Sequence, residues 1–248
     1  MTVPPLLSFA TLGMLMLAAI AMPRYARWCS QRAAHAAGVA SSLPPLDWTG
    51  RILIGLGAAA ALLAYAVQTI GVAEPAYFEA AISAILALFL MGEAAADRNW
   101  CFAPYGLMLP IVICSAALSP YGAPNAFVVA AGMWAGAYVL TIVQIRTGYL
   151  TVVTQDIVAA LMPLLLFGVS LWAVATYLTT AAALALALSL GPSKPAIAAA
   201  HETGMTLGPA RVHIPFCAVM FPILAGCLLW KVLAAFPPVH HAISMVGL

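Results

Sequence analysis

Asp97 and Asp156 are the side chains of this sequence best suited to chemistry. Only 7 of its 248 residues are acidic, and these two stand where apolar stretches meet polar boundaries. A carboxylate at the edge of hydrocarbon is costly to keep, so an ionisable group retained there points to function or to a charge partner. Two carboxyl groups brought close together cannot both ionise easily, and they share a proton and titrate as a coupled pair. One can then act as base toward a water while the other donates a proton to a carbonyl oxygen. That work requires them within about 10 Å of each other, with room for the water between.

The composition says what must hold such a pair. Hydrophobic residues make up 65% of the chain and charged residues 6%, with a mean hydropathy of +1.06. Apolar runs long enough to cross about 30 Å of hydrocarbon recur along nearly the whole length and leave no room for a soluble domain. The runs lack the period-2 alternation of a barrel, and helices satisfy their own backbone in lipid, so the fold expected is all-α, a polytopic integral membrane bundle. We read eight transmembrane helices in one domain over 1–248, at about 5–22, 52–71, 76–96, 104–119, 123–145, 157–172, 173–190 and 214–236. The apolar run 157–190 is too long for one crossing, and we divide it near Trp172, Thr176 and Tyr177, because aromatic residues favour the interface. A seven-span alternative leaves that run whole.

Basic residues set the orientation. Arg24, Arg27 and Arg32 follow the first span, Arg51 opens the second, Arg98 closes the third, Arg146 closes the fifth, and Lys194 and Arg211 lie between the seventh and eighth. With the N-terminus outside and eight crossings, 8 of the 9 basic residues face the cytoplasm. Lys231 lies near the outer end of the last span, where its stem can snorkel. The same model places Asp97 and Asp156 together on the cytoplasmic side and Glu74 outside. The first span is not read as a signal peptide, since its positive charges follow the apolar run rather than precede it. The connection 23–50, with its arginines and Ser41-Ser42-Leu43-Pro44-Pro45, reads as the longest cytoplasmic loop, partly flexible.

Position alone also suits a structural role. Asp97 and Arg98 could form an interfacial charge pair, and Asp156 after Thr154 suits the positive end of a helix. The neighbouring residues add a family context. The stretch Asp97-Arg98-Asn99-Trp100-Cys101-Phe102-Ala103-Pro104 resembles the first catalytic stretch of the type IV prepilin peptidases, GxGD-type membrane aspartyl proteases, in which proline follows the aspartate at this interval. Gln155-Asp156-Ile157-Val158-Ala159-Ala160-Leu161 resembles their second, and His213-Ile214-Pro215-Phe216-Cys217-Ala218 resembles the Ile-Pro-Phe-Gly-Pro element of their last helix. The order agrees across roughly 80–230. The chain diverges at the second aspartate motif: Val153-Thr154-Gln155 precede Asp156 where the family has Gly-x-Gly, Val158 replaces a lysine, and Cys217 and Ala218 replace Gly and Pro.

The resemblance implies an aspartic endopeptidase, with Asp97 and Asp156 catalytic, in the multi-pass inner membrane of a bacterial cell. The implied partner is a pilin-like precursor with a short basic leader, cut at the cytoplasmic face before its hydrophobic helix. The alternative is a non-catalytic membrane component of a pilus, conjugation or secretion assembly. A transporter fits less well, because the charges concentrate at span ends. By resemblance alone S-adenosylmethionine would serve as methyl donor; no residue here adds to that, and no cofactor is expected. The cysteines Cys29, Cys101, Cys114, Cys217 and Cys227 lack metal spacing and read as small apolar residues. His240-His241 has too few partners for a metal site. Glu93, four residues before Asp97 on the same helical face, lines the polar inner end of the bundle, tunes Asp97 or binds a basic leader. His201-Glu202 reads as a solvated loop. Gly55 and Gly57 open an apolar span rather than follow a strand, so they make no nucleotide fingerprint. The partners expected are therefore the bilayer and a precursor protein, with no nucleic acid.

Overall fold

The computed structural model describes residues 5–36, 43–69, 76–100, 103–147, 154–190 and 216–235. Eight helices account for nearly all of them: α1 (Pro5–Ala36), α2 (Trp48–Thr69), α3 (Tyr77–Trp100), α4 (Tyr105–Ala117), α5 (Ala123–Thr147), α6 (Thr154–Phe167), α7 (Leu171–Leu190) and α8 (Phe216–Ala234). Five regions, within α1, α2, α3, α5 and α8, are long and apolar enough to cross a membrane. Large apolar side chains such as Phe9, Ile20, Val128, Val139 and Leu178 face outward, as a helix surface bathed in lipid requires. The chain is an all-α polytopic membrane bundle. Glu74, Gly148, Cys101, Lys194, His201, Glu202, Arg211, His213, Ile214, Pro215, His240 and His241 lie outside the described residues.

Helix α3 is the axis. It packs against α1, α2, α4 and α8, and Ala94, Ala95 and Ala96 near its end are wholly buried. Small side chains let neighbouring backbones approach, which is how helices associate where lipid supplies no hydrophobic drive. Gly57 of α2 marks a close approach: a Cβ built there would lie 2.6 Å from Cβ of Met91 on α3. One hydrophobic cluster joins α3 to α4, α5, α6, α7 and α8 through Leu86, Leu90, Met108, Met162, Phe221 and Leu224. A second joins it to α1 and α2 through Met22, Ala26, Ile54 and Trp100.

Two features depart from the sequence reading. The long apolar run divides at Gly168, four residues before Trp172. Gly168 has φ +65°, a left-handed conformation that ends helices at little cost only for glycine, and its N–H donates to Leu164 O at 3.0 Å. A glycine inside an apolar run was therefore the break, and no polar residue was needed. The site of a Gly168 Cβ lies 3.0 Å from Pro120 Cγ, so the α6–α7 and α4–α5 turns meet at one end of the bundle.

The second departure is at the opposite end. Helix α1 does not stop near residue 22 but continues to Ala36, with Pro23 inside it. Segment 43–47 is not a loose loop either. Arg27 donates to Leu43 O through Nε at 3.0 Å, Trp100 Nε1 donates to Pro44 O at 3.1 Å, and Asp47 N–H donates to Asn99 Oδ1 at 2.9 Å. Asp47 Oδ1 in turn accepts the N–H of Gly50 at 2.6 Å, occupying one of the donors that the start of α2 leaves open. The segment is a strap tying the ends of α1 and α3 to the start of α2.

Candidate functional site

The strapped end carries Asp97 and Asp156. Asp97 occupies the last turn of α3, and Asp156 the first turn of α6. The chain reverses between successive helices, so the end of the third and the start of the sixth fall on one side, and the first turn of α8 falls there too. Asp97 is 4% exposed, and its Oδ2 accepts the N–H of Ala218 at 3.0 Å. That N–H is among the first of α8, which have no partner within their own helix, and an anion at the positive end of a helix is favoured. Asp156 is half-buried, with Oδ1 3.9 Å from Sγ of Cys217, whose thiol is a weak donor. Cys217 and Ala218 are consecutive, so two aspartates separated by 59 positions of sequence converge on neighbouring residues of one helix turn.

Glu93 lies one turn before Asp97 on the same face of α3. It is fully buried, and neither carboxyl oxygen has a hydrogen-bond partner among the described residues. Asp97 and Asp156 lie near enough to act on it electrostatically, and Cys217 is within the same reach. The structure therefore brings together all three acidic residues singled out from the sequence. It also places Glu93 where it has no surface to offer a basic leader. Arg98, the next residue after Asp97, donates to Thr49 Oγ1 at 3.4 Å. Among the described residues no group of three or more His, Cys, Asp or Glu is arranged to hold a metal ion.

Cys217 and Ala218 are the contacts sequence reasoning missed. Cys217 reads as a small apolar residue, and Ala218 has no side-chain chemistry at all. The available signal was the Ile214-Pro215-Phe216 element itself: these two positions are the ones at which it departs from Gly-Pro, and they are the two that touch the aspartates. A proline at 218 would have no N–H to give.

Fold and site together define a multi-pass helical membrane protein with a buried acidic cluster at the head of its last helix. Comparison with protein-family models, with curated proteins and with solved structures finds no match.

Proposed function

We propose that this protein is a membrane aspartyl endopeptidase, prepilin-peptidase-like, with Asp97 and Asp156 as its catalytic pair. The observation that supports it most is their convergence from α3 and α6 onto Cys217 and Ala218, at one end of an apolar bundle. In the reaction one carboxylate removes a proton from water as the water oxygen attacks the scissile carbonyl carbon. The other, protonated, gives its proton to the carbonyl oxygen. Collapse of the tetrahedral diol breaks the C–N bond: the departing nitrogen takes the proton that came from water, a hydroxyl of the diol gives its proton to the other carboxylate, and the pair is left sharing one proton as before. The start of α8 adds a fixed positive potential beside the pair, and the apolar surroundings strengthen every charge interaction there.

The substrate is a pilin-like precursor whose basic leader stays in the cytoplasm while its apolar helix lies in the bilayer, so that the cut falls at the membrane edge. This assignment rests on the likeness of the Asp97–Pro104 and Ile214–Ala218 stretches to that family. The bacterial inner membrane is what the family likeness implies; the orientation, with the N-terminus outside and both aspartates cytoplasmic, rests on the arginine bias. The test is co-expression with such a precursor, following leader removal by mass spectrometry. Replacing either aspartate by asparagine is expected to slow cleavage by about 10²-fold or more; unchanged cleavage in both variants refutes the assignment.

One observation favours a second reading. The Ala218 N–H occupies an oxygen of Asp97, so the carboxylate also serves as a clasp between α3 and α8. In a non-catalytic component of a pilus, conjugation or secretion assembly that clasp is the whole purpose. The intact chain then cleaves no precursor, and Asp97→Asn lowers stability alone.

A further inference from the structure

Glu93 belongs to none of the steps above, yet it is the most completely enclosed acid in the described structure. Its surroundings are side chains of the bundle rather than lipid or water, since it is 0% exposed within the protein itself. Both oxygens lack a partner among the described residues. An ionised carboxylate in such a place is penalised far more than a neutral acid, because nothing replaces its lost hydration.

The groups around it add no positive charge. Asp97 shares its helix and Asp156 comes from α6; Cys217 comes from α8 and Cys29 from α1. At this end α1 also has Arg24, exposed, Arg27, donating to Leu43 O, and Arg32, exposed and lying over the ring of Trp28; α2 has Arg51, exposed and donating to Leu46 O, and α4 has the exposed Tyr105. Arg98 of α3 is engaged with Thr49. The charged neighbours that act on Glu93 are both carboxylates.

We propose that Glu93 is a third, neutral carboxylic acid of the site, a positioning residue that keeps its own proton and so adds no charge beside Asp97 and Asp156. Were Glu93 ionised, a further negative charge would crowd the head of α8 with no partner to offset it. The binding of that proton is a property of the fold, while its consequence for cleavage rests on the endopeptidase reading.

The two are separable by experiment. The chain has four glutamates, Glu74, Glu79, Glu93 and Glu202, so the full protein labelled with ¹³C at the glutamate δ carbon and held in nanodiscs gives a small set of carboxyl resonances. At neutral pH one should have the shift of a protonated acid and vanish in Glu93→Gln, whereas four ionised glutamates would overturn the proposal. This measurement requires no mutation to detect the proton and no turnover. In the cleavage assay Glu93→Gln, whatever its rate, should reach half-maximal cleavage at the same pH as the parent, since glutamine copies a neutral acid. A displacement toward lower pH by about one unit, the mark of a removed negative charge, would refute the role assigned to it. Loss of cleavage in the parent chain, with the protonated resonance present, would count against the peptidase alone.

Discussion

Replacing Ala218 by proline tests the clasp between α3 and α8 more sharply than any change to Asp97. The substitution deletes one atom of consequence, the amide hydrogen that reaches Asp97 Oδ2 at 3.0 Å. Ala218 is the third residue of α8, and in the first turn of a helix proline costs little, because the N–H groups there have no partner within the helix and the ring meets no preceding helical carbonyl. What is lost is a hydrogen bond to a charged acceptor, worth about 1.5–3 kcal/mol, in a buried setting where water does not replace it. The expected effect is therefore a loss of about 1.5–3 kcal/mol, or roughly a 10- to 150-fold change in the unfolding equilibrium. The assay is reversible unfolding in mixed micelles of increasing denaturing detergent, with Ala218→Gly as the control that keeps the N–H. Equal stability of the proline and glycine variants would show that Asp97 does not depend on this donor, and the clasp would have to be abandoned.

Other expectations follow from the packing and from the strap. Gly57→Val should push α2 away from Met91 of α3, given the 2.6 Å approach of even a built Cβ, and cost about 1–3 kcal/mol by the same unfolding assay; a neutral result would mean that α2 and α3 are not in contact there. Gly168→Ala forces a side chain into φ +65° beside Pro120, and should lower stability by about 1 kcal/mol or more. Trp100→Phe removes the donor to Pro44 O and should loosen segment 43–47, read as faster proteolysis at that segment while α3 stays protected. Retention of the parent's cleavage pattern would mean that Arg27 and Asn99 hold the strap without it.

Much of this architecture was written in local sequence. Runs of apolar residues with almost no charge permit only helices across a bilayer, since each backbone group must be satisfied within its own segment. The alternation of such runs put the end of α3 and the start of α6 on one side, and Asp97 and Asp156 with them. Gly168 was equally local, but it went unread because the run around it is uniformly apolar and a helix end was sought at a polar residue. The extension of α1 past Pro23 was hidden for the opposite reason. Arginines mark where a segment leaves the hydrocarbon, and they do not mark where its helix stops.

The sequence by itself determined the solvent, the helical class and the two acids at one end, because hydropathy and helical rise act over a few turns of chain. Only the tertiary structure decided what those acids meet. Whether Glu93 is lined with water or sealed among side chains depends on how α1, α6 and α8 close around α3, and the seal leaves both its oxygens without a partner. That Asp97 takes its hydrogen bond from Ala218, 121 residues away, is likewise a matter of helix packing. A backbone N–H is the same at every residue but proline, so no side chain could announce which one would be aimed at the carboxylate.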